Sequence, residues 1–117
     1  MSATKPYHLT ENDNGKELKL HPGDQVRITL RGNPSTGYQW ELTDWNEQIL
    51  TMTTEPSYTQ DSPAIGSGGE FVFEFQAVMN GHTDLRLVYR RPWEKNTFPT
   101  DHFDLSIEVT PLKSSEP

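Results

Sequence analysis

Apolar and polar residues alternate with a period of two through most of this chain, and that alternation leaves little room for anything except β-strands with one buried face. Val26, Ile28 and Leu30 alternate with Gln25, Arg27, Thr29 and Arg31, and Tyr38, Trp40 and Leu42 with Gln39 and Glu41. Phe71, Phe73, Phe75 and Ala77 alternate with Val72, Glu74 and Gln76, and Leu85, Leu87 and Tyr89 with Asp84, Arg86 and Arg90. Phe103, Leu105, Ile107 and Val109 complete the series. Successive side chains of a strand point to opposite faces, so each set defines one inward face. The pattern predicts main strands at 24–31, 38–43, 49–58, 70–79, 83–90 and 103–110, of which 49–58 is the least regular. An early pair, Tyr7–Leu9 and Glu17–Leu20, precedes them. No stretch reads as a long helix.

Turn residues fall between these runs: Asn14-Gly15, Pro22-Gly23-Asp24 and Asn80-Gly81. The last is the pair favoured by the left-handed turn that joins two antiparallel strands, so it is expected to close a β-hairpin. Strands at this short spacing, with Trp40 on an inward face, indicate an all-β, immunoglobulin-like antiparallel β-sandwich rather than a closed barrel. At 117 residues the chain is one domain, 1–117, with polar or proline-bearing tails at 1–6 and 112–117. Hydrophobic residues make up only 32% of it and aromatics 10%, so the core is expected to be lean and built largely from aromatic rings. If successive strands run antiparallel, alternate connections share an end of the sandwich. The connections at 32–37, 59–69 and 91–102 then emerge together, and Asn80-Gly81 lies opposite.

Composition removes several classes of function. A net charge of −7 repels phosphate backbones and anionic lipid, which argues against nucleic acid and membrane as partners. No apolar run reaches the roughly 18 residues of a spanning helix. The first residues lack the basic and apolar regions of a signal peptide, so a cytoplasmic protein is expected, or a lysosomal, vesicular or secreted one if a signal has been removed. With no cysteine there is no disulfide, no thiolate nucleophile and no cysteine-based metal site. Asn33-Pro34-Ser35 is not a glycosylation sequon, because proline occupies its middle position. His8, His21, His82 and His102 are scattered without metal-ligand spacing, and no Gly-x-Ser-x-Gly elbow is present. No enzyme activity, metal or cofactor is expected.

The three connections hold the least strand-like residues in the chain, and binding residues often sit on loops carried by a rigid scaffold. Asn33-Pro34-Ser35-Thr36-Gly37-Tyr38 combines a proline-fixed angle, a glycine that permits a tight reversal, and two hydroxyls at the tip. On composition alone it is either a plain turn or a preorganised tip. Gly66-Ser67-Gly68-Gly69 lets another backbone approach closely, or is simply a mobile linker. In Arg90-Arg91-Pro92-Trp93-Glu94-Lys95 an indole stands among charges after a proline, either exposed as a binding hot spot or folded over the sandwich end as a lid. The local surplus of positive charge there suits a partner with acidic groups at its rim.

Taken in order, Asn33-Pro34-Ser35-Thr36-Gly37-Tyr38 with Trp40, Gly66-Ser67-Gly68-Gly69 and Arg91-Pro92-Trp93, the chain resembles the chagasin family of cysteine-peptidase inhibitors over nearly its whole length. It departs at Ser35, where the family commonly has threonine, a change that keeps the hydroxyl and loses a methyl. The resemblance implies a domain that blocks papain-like, cathepsin-like cysteine peptidases reversibly and competitively, as a monomer in a 1:1 complex. It implies that the 33–38 loop covers the catalytic centre with Thr36 over the peptidase's cysteine and histidine. It further implies that Gly66, Ser67, Gly68 and Gly69 lie along the non-primed cleft and that Arg91, Pro92 and Trp93 close on the primed side. The competing reading is an immunoglobulin-like module that uses the same loops for another protein or a carbohydrate.

Overall fold

In a computed structural model of the protein, residues 5–33, 36–60, 68–91, 93–94 and 101–111 are described. Nine strands are formed: β1 (Pro6–Leu9), β2 (Glu17–Leu20), β3 (Gln25–Gly32), β4 (Gln39–Asp44), β5 (Leu50–Met52), β6 (Ser57–Gln60), β7 (Gly69–Ala77), β8 (Gly81–Arg90) and β9 (Asp101–Val109). One sheet has the order β1-β3-β7-β5, with β6 also paired to β7; the other has the order β2-β9-β8-β4. The two pack as a sandwich around the residues that the alternation marked. Val26, Ile28, Leu30, Phe71, Phe73, Phe75 and Ala77 from the first sheet face Leu20, Trp40, Leu85, Leu87, Phe103, Leu105, Ile107 and Val109 from the second. Each Val, Leu, Ile or Phe side chain among them, fully buried, is worth about 1.5–3 kcal/mol of transfer free energy, which is what holds two otherwise charged sheets together.

The sheets are mixed rather than purely antiparallel. β1 pairs parallel with β3 and β2 parallel with β9, while the remaining pairs are antiparallel. The cause is the path of the first thirty residues. The chain reverses at each of these early connections, but β1, β2 and β3 alternate between the sheets. Strands two apart in sequence therefore run the same way, and β1 lands directly beside β3. A short 3-10 turn, Glu11–Asp13, capped by Thr10, makes the first crossing. At the second, Asp24 is only 2% exposed. Its carboxylate accepts hydrogen bonds from the backbone N–H of Lys5 at 3.0 Å and of His21 at 2.9 Å, pinning β1 to the turn before β3.

Two further expectations are corrected. The run at 49–58 is two strands: Met52 pairs with Phe75 and Ser57 with Val72, so the 53–56 segment carries two more residues than the opposite stretch of β7 and bows away from it. Pro56, which has no N–H to donate, sits in that bow. Asn80-Gly81 does not close a hairpin. β7 has β3 on one edge and β5 and β6 on the other, and β8 lies between β9 and β4, so 78–80 crosses from sheet to sheet. Gly81 itself is at φ +146°, where a Cβ would stand 2.8 Å from Cδ1 of Ile49. No described residue other than glycine has a positive φ. Trp45, left open by the sequence, is half-buried against the core and donates its indole N–H to the carbonyl of Leu50 at 3.0 Å.

The alternation of direction does what the sequence argument asked. Gly32, Gln39, Gln60, Gly69, Arg90 and Asp101 are the strand ends at one pole, paired Gly32 with Gly69, Gln60 with Gly69 and Gln39 with Arg90. Tyr89, one residue below that pole, pairs with Asp101.

Candidate functional site

The pole is built around a column of aromatic rings. Tyr89 is the last inward-facing residue of β8, and its ring lies 5.1 Å from that of Trp40 and 5.3 Å from that of Tyr38, nearly parallel to the latter. The guanidinium of Arg91 caps the column 4.6 Å above the Tyr38 ring. Stacked rings in this geometry contribute about 0.5–1.5 kcal/mol each beyond their buried area, and a partly exposed cation over a ring about 0.5–1 kcal/mol. The column ties the loops to the sheets. Trp40 donates its indole N–H to the carbonyl of Arg31 at 3.0 Å, joining β4 to β3 across the sandwich.

The first loop closes on itself. The backbone N–H and the hydroxyl of Thr36 both donate to the carbonyl of Asn33, at 3.2 and 2.7 Å, so an exposed threonine side chain is held in one orientation. The Asn33 N–H donates to the Tyr89 hydroxyl at 3.0 Å. Gly37 follows at φ +87°, and the six-membered edge of Trp93 lies against it; a Cβ there would come within 2.5 Å of the indole Cη2. Arg91 donates from Nε to the Thr36 carbonyl at 3.2 Å and from Nη1 to Glu94 at 3.3 Å. The first and third loops are therefore one interlocked unit, in which Arg91 clasps the backbone of the first loop and Trp93 rests on its glycine. Trp93 is nevertheless 66% exposed, the most exposed large apolar side chain among the described residues. It leans on the tip and leaves most of its surface outward.

The second loop departs from the sandwich over glycines. Gly68 is at φ +77°, and a Cβ there would stand 3.4 Å from the Gly32 carbonyl oxygen. Gly69 belongs to β7 and is buried; a Cβ would collide with the carbonyl oxygen of Thr59. Its absent side chain serves the sheet, not the loop. Pro34, Ser35, Gly66, Ser67 and Pro92 lie outside the described residues, as does Lys95. Thus Asn33, Thr36, Gly37, Tyr38, Gly68, Gly69, Arg91 and Trp93 are brought to one pole, and the sequence reading missed three residues there. Tyr89 was read only as the end of an alternation, Gly32 only as the first residue of a connection, and Glu41 only as an outward strand residue.

The charge expectation is revised by those partners. Arg90 pairs with Glu41 at 2.9 Å, Arg91 with Glu94 at 3.3 Å and Arg31 with Glu70 at 3.6 Å. Among the described residues the arginines at the pole each face a carboxylate, so they do not by themselves present a cationic rim. Among the described residues there no nucleophile stands beside a base, and the Thr36 hydroxyl is engaged with its own backbone. His21 lies against the Thr110 carbonyl and His82 against Ser106, while exposed His102, next to the pole on β9, is engaged with Asp104.

Comparison with known proteins fits this geometry. Residues 19–107 match the model of the family described as Chagasin family peptidase inhibitor I42. The chain belongs to the chagasin family. It is 36% identical over 89 residues to amoebiasin-1 of Entamoeba histolytica, covering 75% of this chain and 85% of that protein. To chagasin of Trypanosoma cruzi it is 27% identical over 108 residues, covering 88% of this chain and 97% of that one. The crystal structure of the cysteine protease inhibitor EhICP2 from Entamoeba histolytica superposes with a TM-score of 0.84 at 25% identity, over 94% of this chain and all of that one. The chagasin family is one of peptidase inhibitors, not of enzymes.

Proposed function

We propose that the protein is a reversible, competitive inhibitor of papain-like cysteine peptidases, acting as a monomer in a 1:1 complex. The observation that carries the reading is the interlock of the two loops, with Arg91 on the Thr36 carbonyl and Trp93 exposed against Gly37. A wedge already held in one shape loses little conformational entropy on entering a cleft. Thr36 and Gly37 form the leading edge over the catalytic cysteine and histidine, and the exposed indole is available to stack on an aromatic wall beside them. The glycine-rich run of Gly66, Ser67, Gly68 and Gly69 lies along the cleft on the other side by backbone hydrogen bonding.

The same interlock explains why such a wedge would survive a peptidase. A scissile peptide must offer its carbonyl to the nucleophile in an extended conformation. The Thr36 carbonyl instead accepts from Arg91 within the inhibitor, and Gly37 has a positive φ unlike any extended substrate. The Thr36–Gly37 bond is held out of attack geometry.

The test is a titration of active papain, with a serine peptidase as control, following a fluorogenic peptide substrate. The expected result is competitive inhibition of papain alone, relieved on dilution, with the inhibitor recovered uncut. A folded protein that leaves papain and a panel of cathepsin-like enzymes untouched, yet binds a glycan or another protein through these loops, would overturn the reading in favour of the general binding module.

A further inference from the structure

Tyr89 lies in β8 below the loops, yet three independent contacts converge on it. Its ring faces inward, in line with Leu85 and Leu87, and seals the core at the loop-bearing pole. From there the ring packs, tilted, against Trp40 below and is stacked on Tyr38 above. Its hydroxyl crosses the gap between the sheets and accepts from the Asn33 N–H at 3.0 Å, the point where β3 gives way to the first loop. Gly32 makes room for this: a Cβ there would lie 3.1 Å from Cε1 of Tyr89 on the opposite sheet and 2.7 Å from Cε1 of Phe71 on its own. Phe71 is itself packed on Tyr58 of β6, at 4.8 Å between ring centroids, the strand from which the second loop departs. One side chain therefore touches what sets the start of the first loop, the ring under the third, and the glycine gap toward the second.

We infer that Tyr89 is a positioning residue for inhibition, fixing the spacing and orientation of the wedge without itself meeting the peptidase. Phenylalanine would fill the core and keep both ring stacks, but it cannot accept from Asn33. The hydroxyl ties Asn33, at the root of the first loop, to the column that carries Arg91. Loss of that acceptor loosens the tip relative to Arg91 and Trp93, and a wedge that must be reordered on binding is released faster.

This inference rests on the inhibitor reading, and its test separates the two. Tyr89→Phe is compared with wild type and with Ile107→Val, a core trimming on β9 away from the loops that supplies a control for stability alone. Rates of association and dissociation are measured with papain, and amide hydrogen exchange is followed for Asn33 and for the Val26–Leu30 ladder. The expected result for Tyr89→Phe is a dissociation rate raised roughly five- to tenfold with association little changed. Exchange at Asn33 is accelerated and the β3 ladder is as protected as in wild type. Ile107→Val, at a similar loss of thermal stability, keeps both wild-type rates. Unchanged dissociation from Tyr89→Phe overturns the positioning role, as does unchanged exchange at Asn33. A rise in dissociation matched by Ile107→Val overturns it as well, since stability alone then accounts for the effect. A wild-type protein that does not inhibit papain refutes the inhibitor reading, and with it the role of Tyr89 in binding, while exchange at Asn33 still decides whether the hydroxyl holds the loop.

Discussion

Replacing Gly37 with alanine asks whether the indole of Trp93 has to sit where the structure puts it. Two costs are expected, and they fall on different observables. The first is backbone strain. At φ +87° a non-glycine residue is disfavoured by about 1–2 kcal/mol, which lowers stability but does not by itself alter the face offered to a peptidase. The second is steric. The new methyl would lie 2.5 Å from Cη2 of Trp93, so the ring must retreat by roughly 1 Å or more to regain ordinary contact. A displaced anchor indole forfeits a hot-spot contribution of about 2 kcal/mol, or about 30-fold in the inhibition constant. Gly15 supplies the control, because its φ is +86° and nothing lies within 4 Å of a Cβ built there. Gly15→Ala should reproduce the loss of stability in urea denaturation and leave papain inhibition at the wild-type value. Trp93→Ala alone should weaken inhibition about 30-fold or more. In the Trp93→Ala background Gly37→Ala should add almost nothing, since the ring it displaces is gone. That non-additivity is the decisive reading of the cycle. Gly37→Ala inhibiting as well as wild type, or weakening the Trp93→Ala variant by a further 30-fold, would refute the argument.

Other expectations follow from contacts away from the indole. Asp24→Ala removes the acceptor of two backbone N–H groups at the opposite pole and should cost about 3 kcal/mol, roughly 10 °C in Tm by calorimetry, without changing the inhibition constant of the folded protein. Burial raises the pKa of Asp104, but hydrogen bonds from Arg86 and His102 outweigh it and hold the carboxyl below its ordinary value of 3.8. A carboxylate depressed in the native state stabilises the fold above its unfolded pKa and loses that contribution as pH falls through the native one. Asp104→Asn should therefore be less stable than wild type at neutral pH, with the gap closing in strongly acidic buffer, as followed by denaturation at a series of pH values. Arg90→Gln should change papain inhibition less than about threefold, because the guanidinium is engaged with Glu41 rather than projected at a partner.

Strand positions and faces were legible because burial on one side of a strand enforces a two-residue period, and the Phe71–Ala77 run states that period without interruption. The direction of the edges was not, because local pattern carries no record of which sheet a strand joins. The parallel pairing of β1 with β3 follows from a crossover that the Asp24 carboxylate fastens from nineteen residues away in sequence. Asn80-Gly81 misled for a related reason: turn propensity speaks to local geometry, whereas a hairpin needs two free edges, and β7 has none. At the site, the glycines, proline and tryptophan were visible as departures from alternation, and their convergence followed from reversal of direction alone. What could not be read was the division of labour among them. Arg91 stood in the sequence as a candidate for meeting a partner, but its guanidinium lies on Tyr38, Thr36 and Glu94 of its own chain. Tyr89 carried no signal beyond its place at the end of a regular run, since a hydroxyl that reaches across to the other sheet is a property of packing.

The directions of the first and last strands bear on how the molecule can be handled. β1 begins beside Gln25 and β9 ends beside Gly81, both at the pole opposite Thr36 and Trp93. Either flank of the described chain can thus be joined to a surface, a carrier or a second copy without crossing the approach to the loops. Copies strung end to end through short linkers would each keep an unobstructed tip, and a bead coated through either flank would present the tips outward.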